Sequence, residues 1–477
     1  MLSVLDRFFS VLQHINANKI VLRDHKTTYT GVELLNRAAT IANFFSLQGA
    51  KIDDRIAIQL TDRMEFALCY FAAMIGGYTI VPLNLSLPKN DLSYILEITK
   101  PVIVVKTLAD IKLIVKTWDG KIHSDLNSVS NIFFTSGTTN KPKGVCHSIK
   151  NMLNNVDIFN KLTGINEHTC LYHVMPISYM AGFLNTILSP ILAGGSVVLG
   201  SQFDAKNVMY FWKLAMRCGV NAVWITPTMA DLLARLNRNS DVSEWTKTDL
   251  RHVFVGTAPL PQATKDLFEK TFYVECLESY GMTEVLLVAA NTKKFPRKKS
   301  SVGYLLNAVD MEARDATQNK CLQGQEGSLH IRTPFSLLGY LDPNTGKIIS
   351  SLEDEWFATG DYGFIDDENN IFITGRIKDI IIHGGTNVSP RAVEEVLLQH
   401  PDVNDVAVVG KIHPFWGEEV VAFLSLHEDR VFNFGAMIDF CRENLSSDAI
   451  PTIFKTLNDF PRASTGKIQK NKLKELL

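Results

Sequence analysis

The chain has 477 residues, with 48 lysines and arginines against 50 aspartates and glutamates, for a formal net charge of -2. That length exceeds what one hydrophobic core usually serves, and the near balance of charge leaves no basic footprint for nucleic acid and no polybasic patch for an anionic membrane. The seven cysteines are scattered, odd in number and never spaced as CxxC, which argues against a disulfide framework or structural zinc and for a reducing, cytoplasmic compartment.

The first stretch, MLSVLDRFFSVLQHI, has apolar residues at helical spacing, and Asp6 and Arg7 interrupt it as a signal-peptide core, so it reads as a surface helix. Short strands are predicted at KIVLRD (19–24) and TTYT (27–30), then a helix over 34–45. A strand–helix rhythm follows: strand 55–60, helix 65–75, strand 78–82, helix 92–98, strand 102–105. Such units with short connections imply a largely parallel sheet with helices on its faces. Two uncharged stretches, 66–87 and 177–201, are long enough to weigh as membrane spans. Gly76-Gly77 and Pro82 break the first, and Asn185, Pro190 and Gly194-Gly195 the second, so helix, turn and strand describe each better.

The segment NIFFTSGTTNKPKG (131–144) carries the first chemistry. Ile132, Phe133 and Phe134 predict a buried strand that empties into Thr135, Ser136, Gly137, Thr138, Thr139 and Asn140, then Lys141, Pro142, Lys143 and Gly144. Small hydroxyl residues and glycines let backbone N–H groups wrap an anion while lysines supply countercharge, so a polyphosphate is the expected guest. No Gly-Lys-Ser/Thr opens a following helix, which excludes a Walker A loop; the alternative is an ordinary polar loop between strands.

Further strands are predicted at 170–174, 196–199, 222–225, 252–255 and 273–278, with helices between them. Around 331–340 the texture shifts to shorter strands and Gly/Asp/Asn turns, as in a small β-rich section. From Ile380 a compact βα section runs onward, with Ser389-Pro390 as cap and first residue of a helix, Val393, Val396 and Leu397 as its core stripe, and a strand at 406–409. The expected class is α/β. A large N-terminal α/β domain with parallel-rich sheets and a β-rich subdomain (1–377) precedes a small α+β C-terminal domain (378–477), the boundary lying within 374–385.

The loop at 131–144 resembles the phosphate loop of the adenylate-forming superfamily, whose members include acyl-CoA synthetases, nonribosomal adenylation domains and luciferases. The family pattern is roughly TSGTTGxPKG, and this chain reads TSGTTNKPKG, with Asn140 at the usual glycine. Asparagine is the non-glycine residue that best tolerates a left-handed backbone. Other stretches match in family order. VGTAPL (255–260) resembles the segment lining one face of the adenine pocket. ESYGMTE (278–284) resembles the strand and turn that stacks on adenine and reaches the α-phosphate. FATGDYG (357–363) holds the acid that grips ribose. GRIKDIIIHGGTNVSPRAVEEVL (375–397) is similar to the hinge and thiol-tunnel region, and PRASTGKIQK (461–470) to the catalytic-lysine loop.

The resemblance implies ATP or AMP binding by Thr135, Ser136, Gly137, Thr138, Thr139, Lys143, Gly256, Thr257, Ala258, Pro259, Glu278, Ser279, Tyr280, Gly281, Met282, Asp361 and Arg376. Tyr280 offers an aromatic face for a purine, and Gly281 lets the backbone come close. Thr283 can donate to a phosphate oxygen, and Glu284 is a hard oxygen ligand for Mg²⁺ held jointly with ATP phosphates. Alone, YGMTE is a common kind of turn, and Asp361 reads as a turn aspartate between strands. Lys467 is expected to reach the substrate carboxylate and the α-phosphate, offsetting the repulsion of one anion attacking another; a lysine near the chain end is otherwise simply solvated. Lys378 resembles the hinge about which a mobile small domain swings. Gly384-Gly385 would then leave room for a phosphopantetheine arm, or would merely close a turn.

MPISYMAG (175–182) is similar to the family segment beside the carboxylate substrate, with Tyr179 replacing the commoner His or Phe. Amino-acid-activating members usually place an aspartate after that aromatic. Met180 stands here, and a buried ammonium without a partner is costly, so α-amino acids are disfavoured. Tyr179, Gly182, Phe183, Val255 and Leu286, with Trp224, Gly256 and Met282, are candidates for the acyl wall; Phe183 and Trp224 read equally well as core.

The implied function is ATP- and Mg²⁺-dependent activation of a fatty or aryl acid to acyl-AMP, followed by transfer to a thiol. The small domain's texture makes coenzyme A the preferred acceptor. The alternatives are an acyl-AMP ligase loading a phosphopantetheinyl carrier protein, a luciferase-like oxidative enzyme, and a nucleotide-binding protein without catalysis. Lys467, Glu284 and Asp361 together argue against the last. The segment between Pro101 and Ser130 is short for the family.

Overall fold

A computed structural model describes residues 3–108, 116–135, 141–349, 355–462 and 468–477, the side chains of 205–207 excepted. Two large sheets organise the first three quarters of the chain. One has seven strands in the spatial order 348–349, 339–341, 143–148, 129–135, 79–82, 55–58 and 103–105. The other has nine, in the order 304–305, 286–290, 276–282, 252–255, 222–225, 170–173, 196–199, 20–23 and 28–30. In the nine-stranded sheet pairing is parallel through the middle and antiparallel at both margins; in the seven-stranded sheet it is antiparallel from 348–349 to 129–135 and parallel from there to the edge strand 103–105. The strands Thr79–Pro82 and Ala222–Ile225 are buried at every residue, which is why they appear in the sequence as unbroken apolar runs.

Helix boundaries follow local chemistry. The helix Val4–His14 opens on a capping box between Ser3 and Asp6, and Gly31–Leu47 on one between Thr30 and Glu33. The first turns Leu5, Phe8, Phe9 and Leu12 into the core and leaves its polar face outside. Gly77, at φ 75°, ends the helix Arg63–Gly76 and sends the chain into Thr79–Pro82, so the uncharged stretch 66–87 is helix, turn and strand. The stretch 177–201 likewise ends in the strand Ser196–Leu199. Among the described residues no helix is long and apolar enough to cross a membrane.

Three expectations are corrected. The strand expected at 273–278 begins at Cys276, because Tyr273 adopts φ 52° and closes the helix Gln262–Phe272. The β-rich section is a four-stranded antiparallel sheet of 310–314, 327–332, 357–365 and 371–376, while Gly339–Leu341 instead joins the seven-stranded sheet beside Lys143–Ser148. Asp361 lies inside the nine-residue strand Phe357–Ile365 and not in a turn between strands. Gly360, at φ 73°, takes up a bulge there, where Ser328 pairs with Tyr362 but His330 with Ala358.

From Ile381 onward a five-stranded sheet forms from 381–383, 386–388, 403–413, 417–426 and 453–456. Its core, including Val393, Leu397, Val408, Leu424 and Cys441, is drawn only from residues of that sheet and its helices. Ser389 Oγ accepts the Ala392 N–H, and Pro390 is the first residue of the helix Pro390–Leu397. The seven cysteines are all free thiols, with Cys69, Cys146, Cys276 and Cys441 buried.

Candidate active site

Two sheets meet around one carboxylate. Asp361 is 3% exposed, yet its oxygens are both engaged. Tyr280 donates its hydroxyl to Oδ2 at 2.5 Å, and Arg376 Nε lies 2.7 Å from Oδ1. The bulge at Gly360 aims the side chain, and the Asp361 N–H is held by Thr359 Oγ1 at 3.0 Å, which itself donates to the Leu329 carbonyl. Tyr280 comes from the strand Cys276–Met282 of the nine-stranded sheet, and Arg376 ends the strand Ile371–Arg376 paired beside Asp361. Burial, then the Asp361 charge, pushes the Tyr280 hydroxyl well above its ordinary value, so it acts as a donor.

Glu284 follows the strand Cys276–Met282 by two residues. Burial raises its carboxyl above the usual carboxylate range, against the opposing pull of a local backbone bond, the Tyr340 hydroxyl, Arg376 and Lys143. Tyr340 reaches it from the seven-stranded sheet, its hydroxyl 3.5 Å from Oε1. Lys143 Nζ lies 5.9 Å from the centroid of the Tyr340 ring. The preceding residue, Thr283, gives its carbonyl to His147, whose Nε2–H donates at 2.6 Å. His147 is fully buried on the strand Lys143–Ser148, and burial lowers its pKa to about 4, so the ring is neutral. The Tyr179 hydroxyl is raised by burial and by the Glu284 charge while Arg376 opposes, which places all three groups in one electrostatic neighbourhood.

Thr135 and Lys143 are register partners at the ends of the antiparallel strands Val129–Thr135 and Lys143–Ser148. Ser136, Gly137, Thr138 and Thr139 lie outside the described residues, as does Lys467. Gly256 follows the strand His252–Val255, and Thr257 beyond it holds φ 71°, a left-handed conformation that strains a β-branched residue. Ala258 and Pro259 continue this turn at the surface. Glu278 is turned away into a buried ion pair with Lys265 at 2.8 Å, and so buttresses the strand from behind. Ser279 faces Gly256, and Met282 ends the strand. A Cβ on Gly281 would sit 2.3 Å from the Leu286 carbonyl oxygen, so the hairpin itself demands glycine.

The candidates for the acyl wall divide. Tyr179 precedes the short helix Met180–Phe183, and Gly182 packs so tightly that a Cβ would meet the Pro176 carbonyl oxygen at 2.1 Å. Val255 and Leu286 are buried, the latter at φ 62°. Phe183 is 0% exposed and stacks on Tyr70 at 3.6 Å between ring centroids, so its ring is packed into the core. Lys378 is exposed within the turn Ile377–Asp379, directly after Arg376. Gly384 and Gly385, at φ 58° and 87°, close a two-residue hairpin between Ile381–His383 and Thr386–Val388.

Nothing in the sequence marks His147 or Tyr340 as part of the site. Each touches the Thr283–Glu284 turn only through folding, and neither sits in a motif that marks such a contact. Among the described residues no group of three His, Cys, Asp or Glu side chains could hold a metal ion. Glu284 as a lone, half-desolvated carboxylate fits a cation whose other ligands come from phosphate.

A 2-succinylbenzoate–CoA ligase of Bacillus licheniformis is 28% identical over 95% of this chain and 96% of its own length. ATP-bound MatB from Rhodopseudomonas palustris superposes with a TM-score of 0.89 over 99% of this chain and 98% of that one, at 24% identity. The o-succinylbenzoate CoA synthetase of Bacillus subtilis, in complex with its acyl-adenylate intermediate, superposes with a TM-score of 0.83 over 98% of both chains, at 25% identity. The AMP-binding enzyme model matches residues 12–341 and the model of the AMP-binding enzyme C-terminal domain residues 392–467, and the chain therefore belongs to the AMP-binding enzyme family.

Proposed function

We propose that the chain is an acid–thiol ligase that uses ATP to convert a carboxylic acid to acyl-AMP and pyrophosphate, then passes the acyl group to the thiol of coenzyme A. The observation that carries this reading is the buried Asp361 carboxylate, clamped by Tyr280 and Arg376 beside Glu284. A buried carboxylate in such a clamp is suited to accept from a vicinal diol, as ribose presents. The Tyr280 ring then offers a face for the purine, while Thr135, Lys143 and Thr283 approach the phosphates. A bound Mg²⁺ would neutralise phosphate charge, and Glu284 is the side chain placed to hold it. Arg376 steadies Asp361, and Lys467 is assigned the α-phosphate and the attacking carboxylate.

The boundary proposed for the two domains falls between residues 377 and 378. Its support is that the sheet and core beginning at Ile381 close on themselves. Lys378 is assigned to the hinge, and Gly384-Gly385 to the side that meets the thiol. Coenzyme A is preferred to a carrier protein, and an aryl acid to a fatty acid, because two of the relatives compared are named for succinylbenzoate and coenzyme A. Met180 leaves no carboxylate beside Tyr179 for an α-ammonium, which disfavours amino acids. A cytoplasmic site of action accords with the free thiols.

Mass spectrometry of products from ATP, Mg²⁺ and a panel of aryl and alkyl acids, with and without coenzyme A, tests the reading. Acyl-CoA is expected with aryl acids. Lys467→Ala is expected to abolish acyl-AMP formation while sparing thioester formation from supplied acyl-AMP; equal loss of both steps removes that role from Lys467. Failure of every acid to yield adenylate overturns the proposal.

A further inference from the structure

One continuous stretch of chain holds the turn that carries Glu284. It begins at Lys143 and runs through the strand Lys143–Ser148. At Ser148, whose Oγ accepts the Asn151 N–H at 3.2 Å, it passes directly into the helix Ile149–Thr163. His147, Asn151 and Asn155 follow one another along it at intervals of four residues. The side chain of each ends on backbone: His147 on the Thr283 carbonyl at 2.6 Å, Asn151 on the Ser336 carbonyl at 2.9 Å, and Asn155 on Leu287. The Ser336 contact bears on the same turn, because the next residue, Leu337, donates its N–H to the Glu284 carbonyl at 2.7 Å.

Asn155 makes the fullest contact of the three. It is 0% exposed; its Nδ2 donates to the Leu287 carbonyl at 2.8 Å, and its Oδ1 accepts the Leu287 N–H at 3.1 Å. One side-chain amide thus serves both peptide groups of a single residue, as a neighbouring strand would. The backbone there is irregular. The strands Cys276–Met282 and Leu286–Ala290 pair Tyr280 with Ala289 but Gly281 with Leu287, so Val288 is passed over. Leu286 holds φ 62°, a left-handed conformation that a leucine rarely adopts. Thr283, Val285 and Leu287 are buried, so their peptide groups rely on protein partners. A strained segment of this kind keeps one conformation only when its surroundings over-determine it.

We propose that Asn155 is a positioning residue for the adenylating half of the reaction. It fixes Leu287 at one end of the turn as His147 fixes Thr283 at the other. Together they set where the Glu284 carboxylate stands relative to Lys143, which heads the same stretch of chain. The inference rests on the ligase reading above, in which Glu284 holds Mg²⁺ with the ATP phosphates. A carboxylate on a loose turn must be ordered when the metal and nucleotide arrive, whereas one on a turn already held is not. Asn155 acts through the turn, so its loss falls on Mg²⁺-dependent ATP binding and spares AMP, which the Asp361 clamp serves without a metal.

Calorimetry on the full chain tests this, with ATP in the presence and absence of Mg²⁺ and with AMP alone. Asn155→Leu is close in size and cannot bond to Leu287. It is expected to weaken ATP binding in Mg²⁺ by about tenfold or more, the scale of losing the outer partner of a metal ligand, and to leave AMP binding unchanged. Equal weakening of ATP and AMP, or weakening of neither, overturns the inference. Should the variant fail to fold, hydrogen–deuterium exchange of the wild type decides. Peptides spanning 282–290 are expected to exchange slowly in the ligand-free protein and to gain little protection from Mg²⁺ and ATP. Free exchange that stops only when both are added overturns the inference. A wild type that forms adenylate beside a variant without the selective loss would defeat only this inference, whereas no adenylate from any acid would defeat the ligase reading itself.

Discussion

Acidification is expected to weaken this fold through His147, and the size of the effect follows from its burial. The ring is fully buried, and its pKa falls from an ordinary 6.5 to about 4 despite the bond to the Thr283 carbonyl. Between those values the unfolded chain binds a proton that the folded chain refuses. Stability is therefore intact above pH 6.5 and is lost progressively as pH falls toward 4. For one such group the linkage relation gives a loss of about 2 kcal/mol by pH 5 and about 3 kcal/mol by pH 4. His252, lowered to about 4 by burial, and His173, lowered well below its ordinary value by burial, act in the same direction. The assay is urea unfolding followed by tryptophan fluorescence at pH 7.5, 6 and 5, for wild type and His147→Gln. The glutamine keeps an N–H for the Thr283 carbonyl and removes the titration. Its loss between pH 7.5 and 5 should be smaller than that of wild type by about 2 kcal/mol. Parallel losses in the two proteins would refute the assignment of a neutral, buried imidazole.

Two further outcomes follow from the site and the core. Glu284→Gln should lower kcat/KM for ATP on the order of 100-fold, weaken the Mg²⁺ dependence, and remove an acid limb that in wild type lies above the ordinary glutamate range; an unchanged Mg²⁺ titration would deny Glu284 the metal. Phe183→Ala should cost roughly 3–5 kcal/mol of stability, because the ring is fully buried against Tyr70, and should leave the ranking of acids unaltered. A shifted acid ranking without loss of stability would return Phe183 to the acyl wall.

The legible parts of this molecule are local ones. Ser389-Pro390 marks a helix start because the cap and the proline act within one turn, and the short apolar strands are legible because both of their faces are buried. The motifs that carry the family resemblance are contiguous, so they survive at 28% identity to a relative. The illegible parts are made by distance and by backbone detail. Tyr340 meets Glu284 only because Gly339–Leu341 crosses to the seven-stranded sheet, and His147 meets Thr283 only because two sheets pack. Gly-Asp reads equally well as a turn or a bulge, and only the pairing of 327–332 with 357–365 decides for the bulge. Phe183 and Trp224 are both buried aromatics in sequence terms. One stacks face to face in the core, and the other leaves its indole N–H without an acceptor.

The burial of four of the seven cysteines has a chemical consequence for an enzyme of this kind. An acyl-adenylate is an acylating agent that any accessible thiolate would consume. Cys146 lies three residues beyond Lys143, in the strand Lys143–Ser148, yet it is 0% exposed and burial pushes its thiol up to about 12. Burial likewise pushes up the thiols of Cys69, Cys276 and Cys441. Protonated and walled off, they are poor nucleophiles. These four thiols are thereby withheld from the mixed anhydride, which is left to a thiol arriving from solution.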